Sequence, residues 1–321
     1  MFEDMKRTII IWSLAFLSLV GSTVSAGGLV PGTASPIVSL KSLSDAPEAE
    51  RLIRAALRIA PERRLAFFSR CLLGRRYHPE TKKRISGQRQ QPVTKREATN
   101  PSPLPVTHLA TSLAFLDCMT YVEHVLALTF CEKPEYTGCF LPRLIDLMFD
   151  AEGGPLFNHQ RNHFTSLWAI TNARKGYLVD VAAKHPLAVR RTLTLNRVAD
   201  NRTFYVEDRF MIAPGPTSFA YFPLSVVTGR RAPLESGDIV ALVCDKEGLD
   251  VTHMGFFMQP HEKPVLRHAS LAKNRIVDED FYAYVQAKKG LVGLMVLRPC
   301  LPPGRPVNLY RFDLLPQPAK P

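Results

Sequence analysis

Three residues of this chain have the side chains, and the order along the sequence, that a thiol hydrolase requires. Cys118 follows Asp117 at the predicted start of a helix, and His253 and His268 come later, on two predicted strands. In such an enzyme the cysteine attacks as a thiolate, one histidine takes the thiol proton, and a second polar group orients that histidine. The arrangement therefore predicts hydrolysis of an amide.

The predicted helix start would itself favour this chemistry. Asp117 is a typical N-cap residue. Apolar residues recur at helical spacing behind the cysteine: Met119, Val122 and Leu126. Free amide N–H groups and the positive end of the helix dipole stabilise a thiolate at this position, and the N–H of Cys118 can hold an oxyanion. A buried structural cysteine also fits a helix start, and the two histidines are what favours catalysis.

The second half of the chain predicts a β-meander that would carry the histidines. Apolar runs of strand length, separated by turn residues, occur at 238–243, 251–258, 265–270 and 294–297. Alternation places His253, Gly255 and Phe257 on one face, and His268 on the next strand can lie beside His253. The sequence alone does not fix that register, and a lone histidine on a strand is more often structural than catalytic.

Two helices are predicted ahead of the cysteine. Apolar residues recur at helical spacing over 48–60, and Pro61 is suited to open a second helix that stops near Gly74. The length and the ordinary composition, with 46% hydrophobic and 22% charged residues, fit one large domain or two small ones. We expect a single catalytic domain over 48–321.

A basic segment follows the second helix. From Arg75 to Arg96 there are eight basic residues and one acidic residue, and a proline-rich stretch comes next. This composition predicts an exposed insertion near 78–105. Such a loop could contact an anionic substrate, although a solvated loop is the more common outcome.

Residues 1–26 have the composition of a secretory signal peptide. Lys6 and Arg7 precede an apolar run over 8–20, and small residues at 24–26 offer a cleavage site. The residues from 27 to 47 are rich in Gly, Pro and Ser and predict a loose leader. We therefore expect a periplasmic or secreted protein with no stable membrane insertion after cleavage; an uncleaved membrane anchor is the alternative.

Charge and cysteine content restrict the remaining function classes. The net charge of +12 would attract nucleic acid, anionic lipid or an acidic wall polymer, although a generally solvated basic surface explains it equally well. Six cysteines are too few and too scattered for a disulfide scaffold; Cys131 and Cys139, on either side of a turn, could form one bridge. The sequence contains neither a Cys-x-x-Cys nor a His-Glu-x-x-His motif, and this argues against a zinc mechanism.

Four motifs, taken together and in this order, resemble the NlpC family of papain-like cell-wall hydrolases. They are Asp-Cys-Met-Thr-Tyr at 117–121, Gly-Asp-Ile-Val at 237–240, His-Met-Gly-Phe at 253–256 and His-Ala-Ser at 268–270. The continuation Val122-Glu123 and the segment 161–164, Arg-Asn-His-Phe, resemble the N-acetylmuramoyl-L-alanine amidase-like branch, formerly a domain of unknown function. The likeness runs from about Leu65 to Arg298 and implies an α+β, papain-like fold, with a helix-borne cysteine packed on an antiparallel β-meander or barrel.

The resemblance also implies roles for individual residues. Cys118 would be the nucleophile, His253 the general base and His268 the group that orients it. Tyr77 matches a tyrosine that lies near the thiol in the family. Further candidates for substrate binding are Asp117, Arg161, His163, Trp168 and Ser270. A guanidinium pairs with peptide carboxylates and an indole stacks on a sugar, but packing within a loop explains Arg161, His163 and Trp168 equally well.

The implied substrate is peptidoglycan or a soluble muropeptide, cut between the N-acetylmuramoyl group and L-alanine through a thioester, with no metal or organic cofactor and no nucleic-acid partner. The same site would serve the bond between D-glutamate and a diamino acid. Two other classes stay open: a papain-like lipid acyltransferase and a non-catalytic wall-binding module.

Overall fold

One long, mostly antiparallel sheet organises the protein in the computed structural model. The structure describes residues 37–40, 42–78, 106, 109, 111–151, 156–197, 205–206, 215–300 and 310–314. The predicted signal peptide lies outside these residues, as does the predicted basic insertion except for His78, so both stay predictions. No helix in the described part of the chain is long and apolar enough to cross a membrane.

The described strands are β1 Ile37–Leu40, β2 Arg76–Tyr77, β3 Phe115–Leu116, β4 Leu178–Asp180, β5 Val189–Leu193, β6 Thr217–Pro223, β7 Ile239–Cys244, β8 Val251–Met258, β9 Val265–Ser270, β10 Arg275–Asp280, β11 Leu291–Pro299 and β12 Arg311–Leu314. The large sheet has the order β3-β2-β10-β9-β8-β7-β11-β6-β5, and β4 pairs with β11. Strands β7 to β10 are antiparallel neighbours in chain order. The first three strands of the predicted meander are therefore confirmed. The fourth predicted run, 294–297, lies in β11 and pairs with β7, so the meander continues into β10, which the sequence analysis did not predict.

The described helices are α1 Ala46–Ala56, α2 Pro61–Cys71, α3 Cys118–Thr129, α4 Leu141–Met148, α5 Thr165–Arg174, α6 Leu224–Thr228 and α7 Phe281–Ala287. The first begins two residues before its prediction because Pro47 is accepted in the first turn, where its missing N–H costs nothing. Pro61 opens α2 as predicted. That helix ends at Cys71, and Gly74, at a φ of 83°, turns the chain into β2.

The predicted loose leader is too long. Residues 37–40, which we assigned to it, form β1 and pair in parallel register with β12, and Val38 and Leu40 are buried. The surrounding Gly, Pro and Ser residues hide this short apolar strand, and its partner lies at the other end of the chain. Cys131 and Cys139, which could have bridged, are free buried thiols.

The sheet separates two apolar layers. Met254 and Phe256 of β8 point into the layer that holds α3, where the rings of Tyr121 and Phe256 lie 5.7 Å apart. Phe257 points to the opposite layer, where it contacts Phe281 of α7. Side chains alternate along a strand, so the two histidines of β8 and β9 share the face that α7 covers.

Candidate active site

Asp117 fixes the start of the helix that carries the thiol. Its carboxylate Oδ1 accepts the N–H groups of Met119 at 3.0 Å and Thr120 at 2.8 Å, and the Thr120 hydroxyl accepts the N–H of Asp117 at 2.9 Å. This reciprocal capping box places Cys118, which is partly exposed, at the first helical position. The Asp117 side chain is buried and occupied, so it positions the thiol; the substrate contact that we expected for it is replaced by this role.

The two histidines meet as predicted. Nε2 of His253 lies 2.6 Å from Nδ1 of His268, with the two rings nearly perpendicular at 85°. Nε2 of His268 lies 2.9 Å from Oε2 of Glu279 on β10. A Cβ at position 255 would come within 2.7 Å of the His268 Cβ, so the glycine of the His-Met-Gly motif leaves room for this contact.

This chain of hydrogen bonds has a direction. The carboxylate of Glu279 only accepts, so Nε2 of His268 carries the proton and its Nδ1 is the acceptor. Nε2 of His253 then donates to that Nδ1. The free lone pair of His253 is therefore on Nδ1, which is the nitrogen available as a base.

Burial keeps both histidines neutral, as the direction of the hydrogen bonds requires. The pKa of His253 falls to about 3, chiefly through burial and also through the nearby His268 and Lys288. Burial likewise lowers the pKa of His268, against the opposing effect of the Glu279 hydrogen bond. At neutral pH, His253 is therefore uncharged.

Tyr284 covers the histidine pair. From α7, its ring lies 5.0 Å from the His268 ring and 6.3 Å from the His253 ring, and Lys288 Nζ donates to its hydroxyl at 3.4 Å. Burial first, and then the charges of Glu279 and Cys118, raise the pKa of Tyr284 to about 12. The charge of the thiol therefore affects the pKa of Tyr284, a residue that contacts both histidines.

Tyr77, in the apolar layer that holds α3, is a second tyrosine that the thiol influences. Burial raises its pKa above the usual value, and the charges of Cys118 and Asp117 raise it further. Its side chain packs against the same apolar layer as α3. The charge of Cys118 therefore influences one tyrosine in the layer that holds α3, Tyr77, and one in the layer of the histidines, Tyr284.

Two predicted substrate contacts are wrong. The Arg161 side chain is 0% exposed and its Nη2 lies 2.8 Å from Oε2 of Glu123, which is also 0% exposed. Its Nη1 donates to the Met148 carbonyl at 3.0 Å. Trp168 is fully buried in the core under α3. Neither side chain can reach a sugar or a peptide carboxylate, because both are committed to packing inside the domain.

The remaining substrate candidates have mixed outcomes. His163 is partly exposed just before α5, and its role stays a prediction. Ser270 is nearly buried at the end of β9, where its hydroxyl accepts the N–H of Lys273 at 3.3 Å.

Sequence reasoning missed Glu279 and Tyr284. The turn between β9 and β10 could have revealed Glu279, since a hairpin there pairs His268 with Val277 and brings residue 279 alongside.

His124, six residues after the thiol in α3, predicts a pH dependence of stability. It is fully buried, its Nδ1 lies 2.7 Å from the Thr120 carbonyl, and burial lowers its pKa to about 4. The unfolded chain, with an ordinary histidine pKa of about 6.5, takes up a proton before the folded protein does. Stability is therefore complete above about pH 6.5 and falls by roughly 3 kcal/mol as the pH drops to 4.

Urea unfolding between pH 4 and pH 7.5 measures this loss. The variant His124→Phe keeps the packing against Phe140 and should show a shallower acid decline than the wild type. Equal slopes for the two proteins would contradict the assignment to His124.

The fold and the site define a mixed α/β protein of the amidase-like type. A family model described as AmiA-like, N-acetylmuramoyl-L-alanine amidase-like, matches residues 68–291, and the chain belongs to that family. The matched segment contains Cys118, His253, His268 and Glu279. The family supports a peptidoglycan hydrolase at a coarse level.

Solved structures share the fold. A Legionella pneumophila protein described as a member of the DUF1460 family is 17% identical, with a TM-score of 0.62 over 83% of this chain and 97% of that one. An N-acetylmuramoyl-L-alanine amidase from Bacteroides uniformis is 21% identical, with a TM-score of 0.58 over 75% and 99%. A putative xylanase from Bacteroides fragilis is also 21% identical, with a TM-score of 0.53 over 72% and 99%. No curated protein sequence matches at a significant level.

Proposed function

We propose that this protein is an exported cysteine hydrolase that cleaves the amide between the N-acetylmuramoyl group and L-alanine of peptidoglycan fragments. Membership of the amidase-like family supports the substrate class. The observation that carries the cysteine mechanism is the hydrogen-bonded order His253, His268, Glu279, which leaves one histidine nitrogen free as a base. Export rests on the predicted signal peptide.

The proposed reaction follows a papain-like course. Nδ1 of His253 takes the thiol proton, and the thiolate of Cys118 attacks the lactyl carbonyl carbon. The N–H of Cys118, at the helix start, stabilises the oxyanion of the tetrahedral intermediate. His253 then protonates the leaving amine of L-alanine and activates the water that hydrolyses the thioester. Cys118, His253 and His268 supply these steps without a cofactor.

Incubation with soluble muropeptides, followed by mass spectrometry of the products, tests the proposal. The expected product is an intact stem peptide beginning with L-alanine. A product ending at D-glutamate, with the sugar still attached to L-alanine, would replace the amidase assignment by an endopeptidase. Acyl transfer to lipid in place of muropeptide cleavage would identify an acyltransferase, and binding to wall fragments with no product would identify a binding module.

Two substitutions of His268, the partner of the proposed base, should lower kcat to different degrees. His268→Ala removes the acceptor for His253 Nε2–H but leaves the base, so kcat should fall by roughly 100-fold and remain measurable. His268→Asn restores an amide oxygen that can accept the same proton and should recover part of the loss. Steady-state rates of the two variants measure this difference. A larger loss for His268→Ala than for His253→Ala would exchange the roles of the two histidines.

A further inference from the structure

Two arginines lie directly opposite each other on neighbouring strands close to one edge of the large sheet. Arg76 of β2 and Arg275 of β10 are register partners, and both are exposed. Like charges in directly opposed positions of antiparallel strands repel and destabilise the pair. The fold therefore retains an unfavourable contact at this position.

Neither arginine is neutralised by a residue that the structure describes. In the described part of the chain, Arg76 and Arg275 make no ion pair, whereas their neighbours do: Arg75 pairs with Glu48 and Arg267 with Asp278. Glu48 and Asp278 are thus already bound to other arginines, and among the described residues the charges of Arg76 and Arg275 remain for an external anion.

The arginine pair shares the sheet face of the proposed catalytic chain. Arg275 lies opposite Ser270, and His268 lies opposite Val277, so alternation puts Arg275, Ser270, His268 and Glu279 on one face. Four residues separate Arg275 from Glu279 on β10, which corresponds to about 13 Å. An extended peptide covers that distance in about four residues, which is within the length of a short stem peptide.

An exposed aromatic residue continues the same surface. Phe115 of β3 is the register partner of Arg76 and is 42% exposed. Its ring meets the ring of His78 edge-on at 6.3 Å. Only Leu116 and Asp117 separate Phe115 from Cys118, so this surface connects the arginines to the thiol along the chain.

We propose that Arg76 and Arg275 form a carboxylate-binding subsite for the stem peptide of the substrate. The inference rests on the proposed function, because it takes the peptide to be part of the substrate. Two guanidinium groups can each donate paired hydrogen bonds to a carboxylate, and the bound anion relieves the repulsion between them. The subsite supplies the carboxylate recognition that buried Arg161 cannot.

Binding to an inactive protein tests the subsite separately from catalysis. In the Cys118→Ala background, calorimetry would measure the Kd of the synthetic tripeptide L-alanyl-γ-D-glutamyl-L-lysine and of the same peptide with both carboxylates amidated. Arg275→Gln and Arg76→Gln should each raise the Kd of the acidic peptide about tenfold, consistent with loss of one charge-assisted contact. Both should leave the Kd of the amidated peptide within about twofold.

Arg58→Gln is the matched control. It removes one exposed positive charge from the segment between α1 and α2 and should change neither Kd. The thermal midpoint without peptide provides a second readout, since Arg275→Gln relieves a like-charge contact and should not lower it. A loss of stability in that variant would indicate a structural arginine and overturn the subsite.

The outcomes separate the two proposals. The subsite would be refuted if the arginine variants raised the Kd of the acidic and the amidated peptide equally, or if neither variant raised the Kd of the acidic peptide. Either result would refute it even if the protein cleaves muropeptides. An arginine-dependent Kd for the acidic peptide would support the subsite even if the scissile bond proved different from the one proposed.

Discussion

Cys118→Ala should lower kcat on muropeptides by roughly four orders of magnitude or more while changing the thermal midpoint little. The proposed thiolate is the nucleophile, and no other group at the helix start can form the thioester. The side chain is partly exposed and contributes little packing, and the capping box of Asp117 and Thr120 uses no atom of the thiol. Product release followed by mass spectrometry, together with a thermal melt, measures both quantities.

Matched variants separate the thiol from its base. Cys71→Ala removes another half-buried thiol, on α2, and should leave turnover unchanged. His253→Ala should cost about as much activity as loss of the thiol, because Nδ1 of His253 is the proposed proton acceptor. Turnover that survives in Cys118→Ala would refute the cysteine mechanism, whatever the behaviour of the histidine variant.

Arg161→Ala should destabilise the protein by roughly 3–5 kcal/mol. Its guanidinium pairs with Glu123 of α3 in a fully buried contact, and truncation would leave the Glu123 carboxylate in the core without that counter-charge. This expectation replaces the one drawn from the sequence, in which Arg161 would hold substrate. Urea unfolding at neutral pH measures the loss of free energy.

A double variant identifies the cause. Glu123→Leu combined with Arg161→Met removes both charges and keeps most of the buried volume, and should recover most of the stability lost by Arg161→Ala. If Arg161→Ala instead kept normal stability and raised only KM, the buried ion pair would be an incorrect description and the arginine would face substrate.

Local patterns were sufficient to predict the elements that carry the site. The apolar runs of β7, β8 and β9 alternate or are continuous over strand lengths, and Asp117 ahead of Cys118 is a strong helix-start signal. These features depend on neighbours within a few residues, which a sequence displays directly. The contact between the two histidines followed from strand adjacency once the register was known.

What the sequence did not show depends on contacts between distant segments. Arg161 and Trp168 are residue types that often recognise peptide and sugar, and only their burial in the three-dimensional structure shows that they are interior. Tyr284 reaches the histidines because α7 folds back over β9 and β10. Its sequence context, an amphipathic helical turn, has no feature that indicates a site.

The pairing of β1 with β12 has a consequence for the order in which the protein folds. Residues 37–40 are synthesised long before their strand partner, residues 311–314. Contacts between such distant segments have a large entropic cost of loop closure and form late in folding. The edge of β1 therefore stays uncovered until β12 has been made, and a truncation that removes β12 would leave that edge open to pairing with other chains.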